Sequence, residues 1–210
     1  MHMLLVAAVS LLSAPAPINF DQVISSDNLP EYLIEKGGGS WVVGVRLNVG
    51  SDGVLKGCDV EISSGIALLD KQTCGTLQRR AQFKPAVWTD GTPVIGVYRT
   101  AIRFVVIEST EKPPGPIDAD LELSVSAMPR GVHSPATVGV MFAVGSDGRI
   151  SDCALHTTSP LPRPEKNPVL VATACDQVLQ NYKAIVARGV DGKPVRSVQN
   201  AAVRFTIQKP

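Results

Sequence analysis

The stretch GSDGVLKGCD begins at Gly50 and GSDGRISDCA begins at Gly145, so one turn followed by one cysteine occurs twice at a constant spacing. Asp52 and Asp147 lie 95 positions apart, as do Cys58 and Cys153. Around the turn, Val43, Gly44, Val45, Leu47 and Val49 match Val138, Gly139, Val140, Phe142 and Val144. Further on, Asp90, Gly91, Pro93 and Val94 match Asp191, Gly192, Pro194 and Val195, and Arg103-Phe104 matches Arg204-Phe205, now 101 positions apart. The six extra residues fall in SPLPRPEKNP, whose prolines mark a surface loop. The chain is two copies of one unit.

Periodicity gives each unit its elements. Trp41, Val43, Val45, Leu47 and Val49 alternate with Val42, Gly44, Arg46 and Asn48, as in a half-buried strand. Ser51-Asp52-Gly53 supplies the turn and Val54 to Ile62 the return strand. Ile66, Leu69, Thr73, Leu77 and Ala81 are spaced for one face of a helix, with Ser64 as its N-cap. A last strand, Val97 to Ile107, turns Tyr98, Thr100, Ile102 and Phe104 inward and Val97, Arg99, Ala101, Arg103 and Val105 outward. The second copy repeats this order, with strands near Thr137 to Val144 and Arg149 to Thr157, a helix over Asn167 to Asn181 and a last strand over Val195 to Ile207. A short helix from Leu29 to Lys36, stopped by Gly37-Gly38-Gly39, precedes the first hairpin. The expected fold class is α+β: two tandem small domains, each a three-stranded antiparallel sheet packed against one or two helices. The domains span residues 28–107 and 126–208, joined by a stiff linker over 108–120.

Twenty basic residues against nineteen acidic leave a net charge of +1, and no basic run interleaves with aromatics, which argues against nucleic acid. The uncharged apolar run from Met3 to Leu12, ended by Ala14-Pro15-Ala16, has the form of a signal peptide over residues 1–16. In such an exported chain four cysteines suggest disulfides. Cys58 shares strand parity with Val60 and Ile62, and Cys74 lies within a turn of Thr73 and Leu77. Cys153 shares parity with Leu155, while Cys175 lies on a helix stripe with Val171 and Val178. Each pair would join the return strand to the helix; four buried thiols are the alternative. His133 and His156 read as surface residues.

The order short helix, hairpin with an Asp-Gly turn, Ser63-Ser64-Gly65, helix, Phe83-Lys84-Pro85-Ala86, Gly91-Thr92-Pro93-Val94 and final strand resembles the C-terminal domain of TonB-family proteins. The match covers residues 28 to 107 well and 126 to 208 less closely, because Thr158-Ser159-Pro160 replaces the Ser-Ser-Gly and Tyr182-Lys183-Ala184 blurs the Phe-x-Pro-Ala site. The resemblance implies a non-catalytic periplasmic protein-binding module, needing no cofactor or metal, that engages extended peptides or plugs of TonB-dependent outer-membrane receptors by strand addition. A membrane-anchored energy transducer is the alternative, and an enzyme or inhibitor on the same scaffold a third. Against anchoring in the transducer manner, the spacer before the first copy runs only from Pro15 to Asn28.

The residues themselves offer no catalytic constellation: Ser63-Ser64-Gly65 lacks the elbow of a nucleophile, and the Asp-Gly pairs recur only as turns. What remains is the edge of a small sheet, whose unpaired main-chain groups accept an added strand. The expected partner-binding residues are Val97, Arg99, Ala101, Arg103 and Val105 on the first copy's last strand, with Asn200 and Arg204 on the second. The arginines are suited to an acidic partner.

Overall fold

The computed structural model describes residues 11–25, 28–35, 39–105, 119–159, 161 and 164–208. The start of the apolar run, the Gly37-Gly38 stop and most of the 108–120 linker lie outside them. In chain order the elements are β1 (Ala16–Pro17), α1 (Phe20–Val23), α2 (Glu31–Glu35), β2 (Ser40–Val49), β3 (Leu55–Ile62) and α3 (Ala67–Arg80), then β4 (Phe83–Lys84), β5 (Ala86–Val87) and β6 (Pro93–Val105). The second half holds β7 (Leu121–Val125), β8 (Ala136–Val144), β9 (Ile150–Leu155), α4 (Pro168–Asn181) and β10 (Ser197–Ile207).

The repeated turn folds the same way twice. Gly50 N–H donates to Val54 O, Gly53 N–H to Gly50 O and Val54 N–H to the Asp52 carboxylate; Gly145, Gly148 and Arg149 repeat those bonds around Asp147. Gly53 and Gly148 sit at φ of 76° and 81°, where a side chain is strained. Each turn closes a hairpin against which one helix packs, and each helix is tied to the return strand by a disulfide. Cys58–Cys74 has Cα atoms 5.6 Å apart and Cys153–Cys175 5.4 Å. Asn167 caps α4 by accepting from Val169 N–H. At α3 the expected cap is different: Ser64 Oγ accepts from Ile66 N–H, and Asp70 gathers the hydroxyls of Ser63 and Ser64 and the Ser64 N–H. Burial would raise the Asp70 carboxyl, but those hydrogen bonds outweigh it and hold it below its ordinary value.

The units do not keep separate sheets. Strand order runs β3-β2-β6-β10-β8-β9 without a break. The last strands of the two halves meet in parallel, Ile95 opposite Ser197, Gly96 opposite Val198 and Val97 opposite Gln199. Tyr98 points into the core beneath α3, with Val43, Val45, Leu69, Leu77 and Phe104. Ala201, Val203 and Phe205 point into the core beneath α4, with Val140, Phe142 and Val178. Paired residues share a face, so Gln199 lies on the side of Val97, away from Tyr98. The two helices therefore cover opposite faces, as an approximate two-fold axis along the strands requires.

The seam is covered on the α3 face by the N-terminal segment. Ser13 and Val87 exchange two main-chain bonds of 3.0 Å, and Ala16 and Pro17 pair with Lys84 and Phe83. Leu12 and Ala14 are buried with Ala86, Val94, Ala143 and Val198, residues of both units. Pro15 lies over Gly96, where an added Cβ would come within 2.5 Å of the ring. The Ala14-Pro15-Ala16 site of the sequence reading thus lies within the packed part of the molecule. His156, expected at the surface, is 2% exposed, edge-on to Tyr98 at the junction of the units. Burial pushes its pKa down to about 4.

Candidate functional site

Beyond Val97 and Gln199 the two last strands diverge. On the side facing away from β8, β10 takes β7 as its parallel partner, from Val203 opposite Leu121 to Ile207 opposite Val125. Between β6 and this pair lies a cleft of about 110 Å³, lined by Gly44, Glu61, Arg99, Ala101, Asp120 and Ala202 among others. At its base the Asn200 carboxamide closes the ladder by imitation. Its Oδ1 accepts from Arg99 N–H at 2.8 Å and its Nδ2 donates to Arg99 O at 3.1 Å, as a paired strand residue would. The Asp120 carboxylate does the same for β10, accepting from Ala202 N–H at 2.7 Å.

Polar side chains converge on Arg99. Its guanidinium donates to Glu61 at 3.0 Å, to Asp120 at 2.9 Å and to the hydroxyl of Tyr182. Arg46, directly opposite Arg99 in register, bonds Glu61 at 3.3 Å and Asp59 at 3.0 Å. Two like charges face each other across a strand pair, and Glu61 between them removes the repulsion. Burial pushes the Asp120 carboxyl up, against the pull of the Ala202 N–H and of Arg99. Burial also raises the Tyr182 hydroxyl, to about 12, helped by the nearby Asp120 charge. Both carboxylates are thus engaged by arginine, Asp120 by Arg99 and Glu61 by Arg99 and Arg46, an arrangement that joins β2, β3, β6, the approach to β7 and the end of α4. Among the described residues no group of three or more His, Cys, Asp or Glu is placed to hold a metal.

The expected partner-binding residues fall into two sets. Val97 is buried within the seam, Arg99 and Asn200 serve the join just described, and Arg204 bonds Glu122 of β7 at 2.7 Å. These are not residues of free edges: both last strands are interior to the sheet near the seam, because each satisfies the other's main chain there. Ala101, Arg103 and Val105 lie on the diverging half of β6, where Arg103 and Val105 are exposed. Sequence reasoning missed Glu61 and Tyr182, and it placed Asp120 in a linker. A signal for the seam was present in PVIGVY, a run apolar at both parities, as strands buried on both faces are.

Residues 36–106 match the family described as the Gram-negative bacterial TonB protein C-terminal. No curated protein and no solved structure matches the chain. The TonB family is periplasmic, and two disulfides fit an exported protein. No helix of the described residues is long and apolar enough to cross a membrane.

Proposed function

Because residues 36–106 form a TonB C-terminal domain, we propose that the chain is a non-catalytic, periplasmic protein-binding module whose second half, residues 126–208, is a diverged copy of the same domain. Its partner is an extended peptide, such as the exposed segment of an outer-membrane receptor, added as a strand beside the diverging half of β6. One observation carries the reading. Both main-chain groups of Arg99 point at Asn200, away from β2. Alternation along a strand then turns the N–H and C=O of Ala101 the same way. Among the described residues no strand pairs with β6 on that side at Ala101, since β2 lies on the other side and β10 pairs only as far as Val97. The charge of Arg99 is met within the molecule, so it contributes little to attracting an acidic partner.

Proline at position 101 tests this, because it removes an N–H that points away from β2 and that no strand of the described residues engages, and it blocks the added strand. Thr100 has the opposite parity, and its N–H serves the β2 ladder, so Thr100→Pro should damage the fold itself. The expected result is that folded Ala101→Pro chain no longer retains outer-membrane receptors that the native chain retains from a solubilised envelope extract. Retention of the same receptors by the folded proline variant would place the site elsewhere.

A further inference from the structure

The two-fold relation of the units makes each feature of one a question about the other. On the α3 face the edge at Val87 is filled by the chain's own Leu11–Ile18. Val87 corresponds to Arg188: the first bridges Pro93, the second Pro194. The same turn follows each, with Trp88 N–H donating to Thr92 O and Gly189 N–H to Lys193 O. Among the described residues nothing corresponding to Ser13 lies beside Arg188. A groove of about 450 Å³ stands there on the opposite face, lined by residues of both units including Asn48, Val49, Ile95, Ala187 and Arg188. Val190 at its rim is fully exposed. Among the described residues no hydrogen bond engages the Arg188 N–H.

We propose that this groove docks an extended stretch of a partner polypeptide, held as Leu11–Ala14 is held in the equivalent groove. Its main chain pairs with Arg188, and aliphatic side chains at alternate positions pack against Ile95 and Val190. The occupied groove supplies the chemistry of the ligand, since Leu12 and Ala14 are the residues it buries. Arg188 lines this groove and disfavours a basic segment, while Lys56 at its other side is paired with Asp52 at 2.7 Å. The added stretch is short. In the first unit the strap continues until Ala16 pairs with Lys84, but at the matching place in the second unit Gln199 Nε2 already donates to Ile185 O. About four residues fit before that stop. The inference concerns a different edge from Ala101 and does not rest on the reading of β6.

The test is amide hydrogen exchange on the full oxidised chain, with the synthetic decapeptide LLSAPAPINF, the sequence of Leu11–Phe20, as probe. The Arg188 amide should exchange about tenfold more slowly, or slower still, at saturating probe, with Val87 unchanged. A control peptide with lysine at the positions of Leu12 and Ala14 should leave Arg188 unprotected. Arg188→Pro removes the outward N–H together with the side-chain bond to Gly192 O and should abolish binding of the labelled probe, whereas Arg188→Ala loses the same bond but keeps the N–H and should still bind it; if the proline variant does not fold, the exchange measurement on the native chain decides alone. No protection of Arg188 at about millimolar probe would overturn the proposal, as would protection confined to Val87. Protection that rises with protein concentration in the absence of probe would assign the groove to a second copy and overturn it equally.

Discussion

Asn200→Ala probes the join between the units more directly than any other single change. The carboxamide makes two hydrogen bonds, of 2.8 and 3.1 Å, to the main chain of Arg99, and Asn200 is 7% exposed. Truncation removes both bonds and leaves an N–H and a C=O unpaired beside the cleft. At about 1 kcal/mol for each bond, with a further penalty for desolvated groups left without partners, the loss should reach about 2–4 kcal/mol. In urea, with a slope of about 2 kcal/mol/M, the midpoint should fall by about 1–2 M. Asn200→Asp sharpens the test. Its carboxylate still accepts from Arg99 N–H but faces Arg99 O with no proton to give, so its folded pKa is raised above the ordinary aspartate value. The variant should be destabilised at neutral pH and regain stability as pH falls through about 5 to 4, when a protonated carboxyl can donate. If Asn200→Ala unfolds within about 0.5 kcal/mol of the native chain, the carboxamide is not joining the strands and the seam holds by other means.

The buried His156 should impose its own pH dependence. Its folded pKa of about 4 lies below the ordinary 6.5, so its contribution is complete above pH 6.5 and is lost as pH falls towards 4, by at most about 3 kcal/mol; His156→Gln should flatten that part of an acid-unfolding profile. Cys58→Ala with Cys74→Ala opens a loop with sequence separation 16 and should cost about 3 kcal/mol in the chain-entropy picture, read as a lower thermal midpoint under non-reducing conditions. Asp70→Ala leaves the Ser63 hydroxyl and the Ser64 N–H without their acceptor and should cost about 1–3 kcal/mol by urea unfolding, while Ser51→Ala, exposed in the first turn, should change little.

Within each unit the fold was legible because local pattern and packing agree. The hairpins, both long helices and the cysteine pairs follow from alternation, helical spacing and the repeated turn, and the structure moves their ends by only a few residues. Between the units the pattern was silent. Asn200, Gln199 and Asp120 are polar, and polar residues on a strand or beside a linker read as solvent-facing; here they take the place of main-chain partners at a junction. Parallel pairing of Ile95–Val97 with Ser197–Gln199 joins residues about a hundred positions apart, beyond the reach of any periodicity. His156 misled for the same reason, since its burial comes from Tyr98 of the other unit. The strap at Leu12 and Ala14 was hidden by its likeness to the end of a leader, since small and aliphatic residues suit both a peptidase and a narrow trough. The direction of the Ala101 main chain emerged only with the position of Asn200.

The disulfide connectivity also bears on how the molecule is made. Four cysteines admit three pairings, and here each is bonded to the next in sequence, Cys58 to Cys74 and Cys153 to Cys175. In a chain delivered from its N-terminus into an oxidising compartment, Cys58 and Cys153 each have their native mate as the next cysteine to arrive. Oxidation in order of emergence gives the final bonds directly, without the slow reshuffling that interleaved pairings need. Each disulfide lies within one half, so neither bond has to wait for the parallel strands of the two halves to meet.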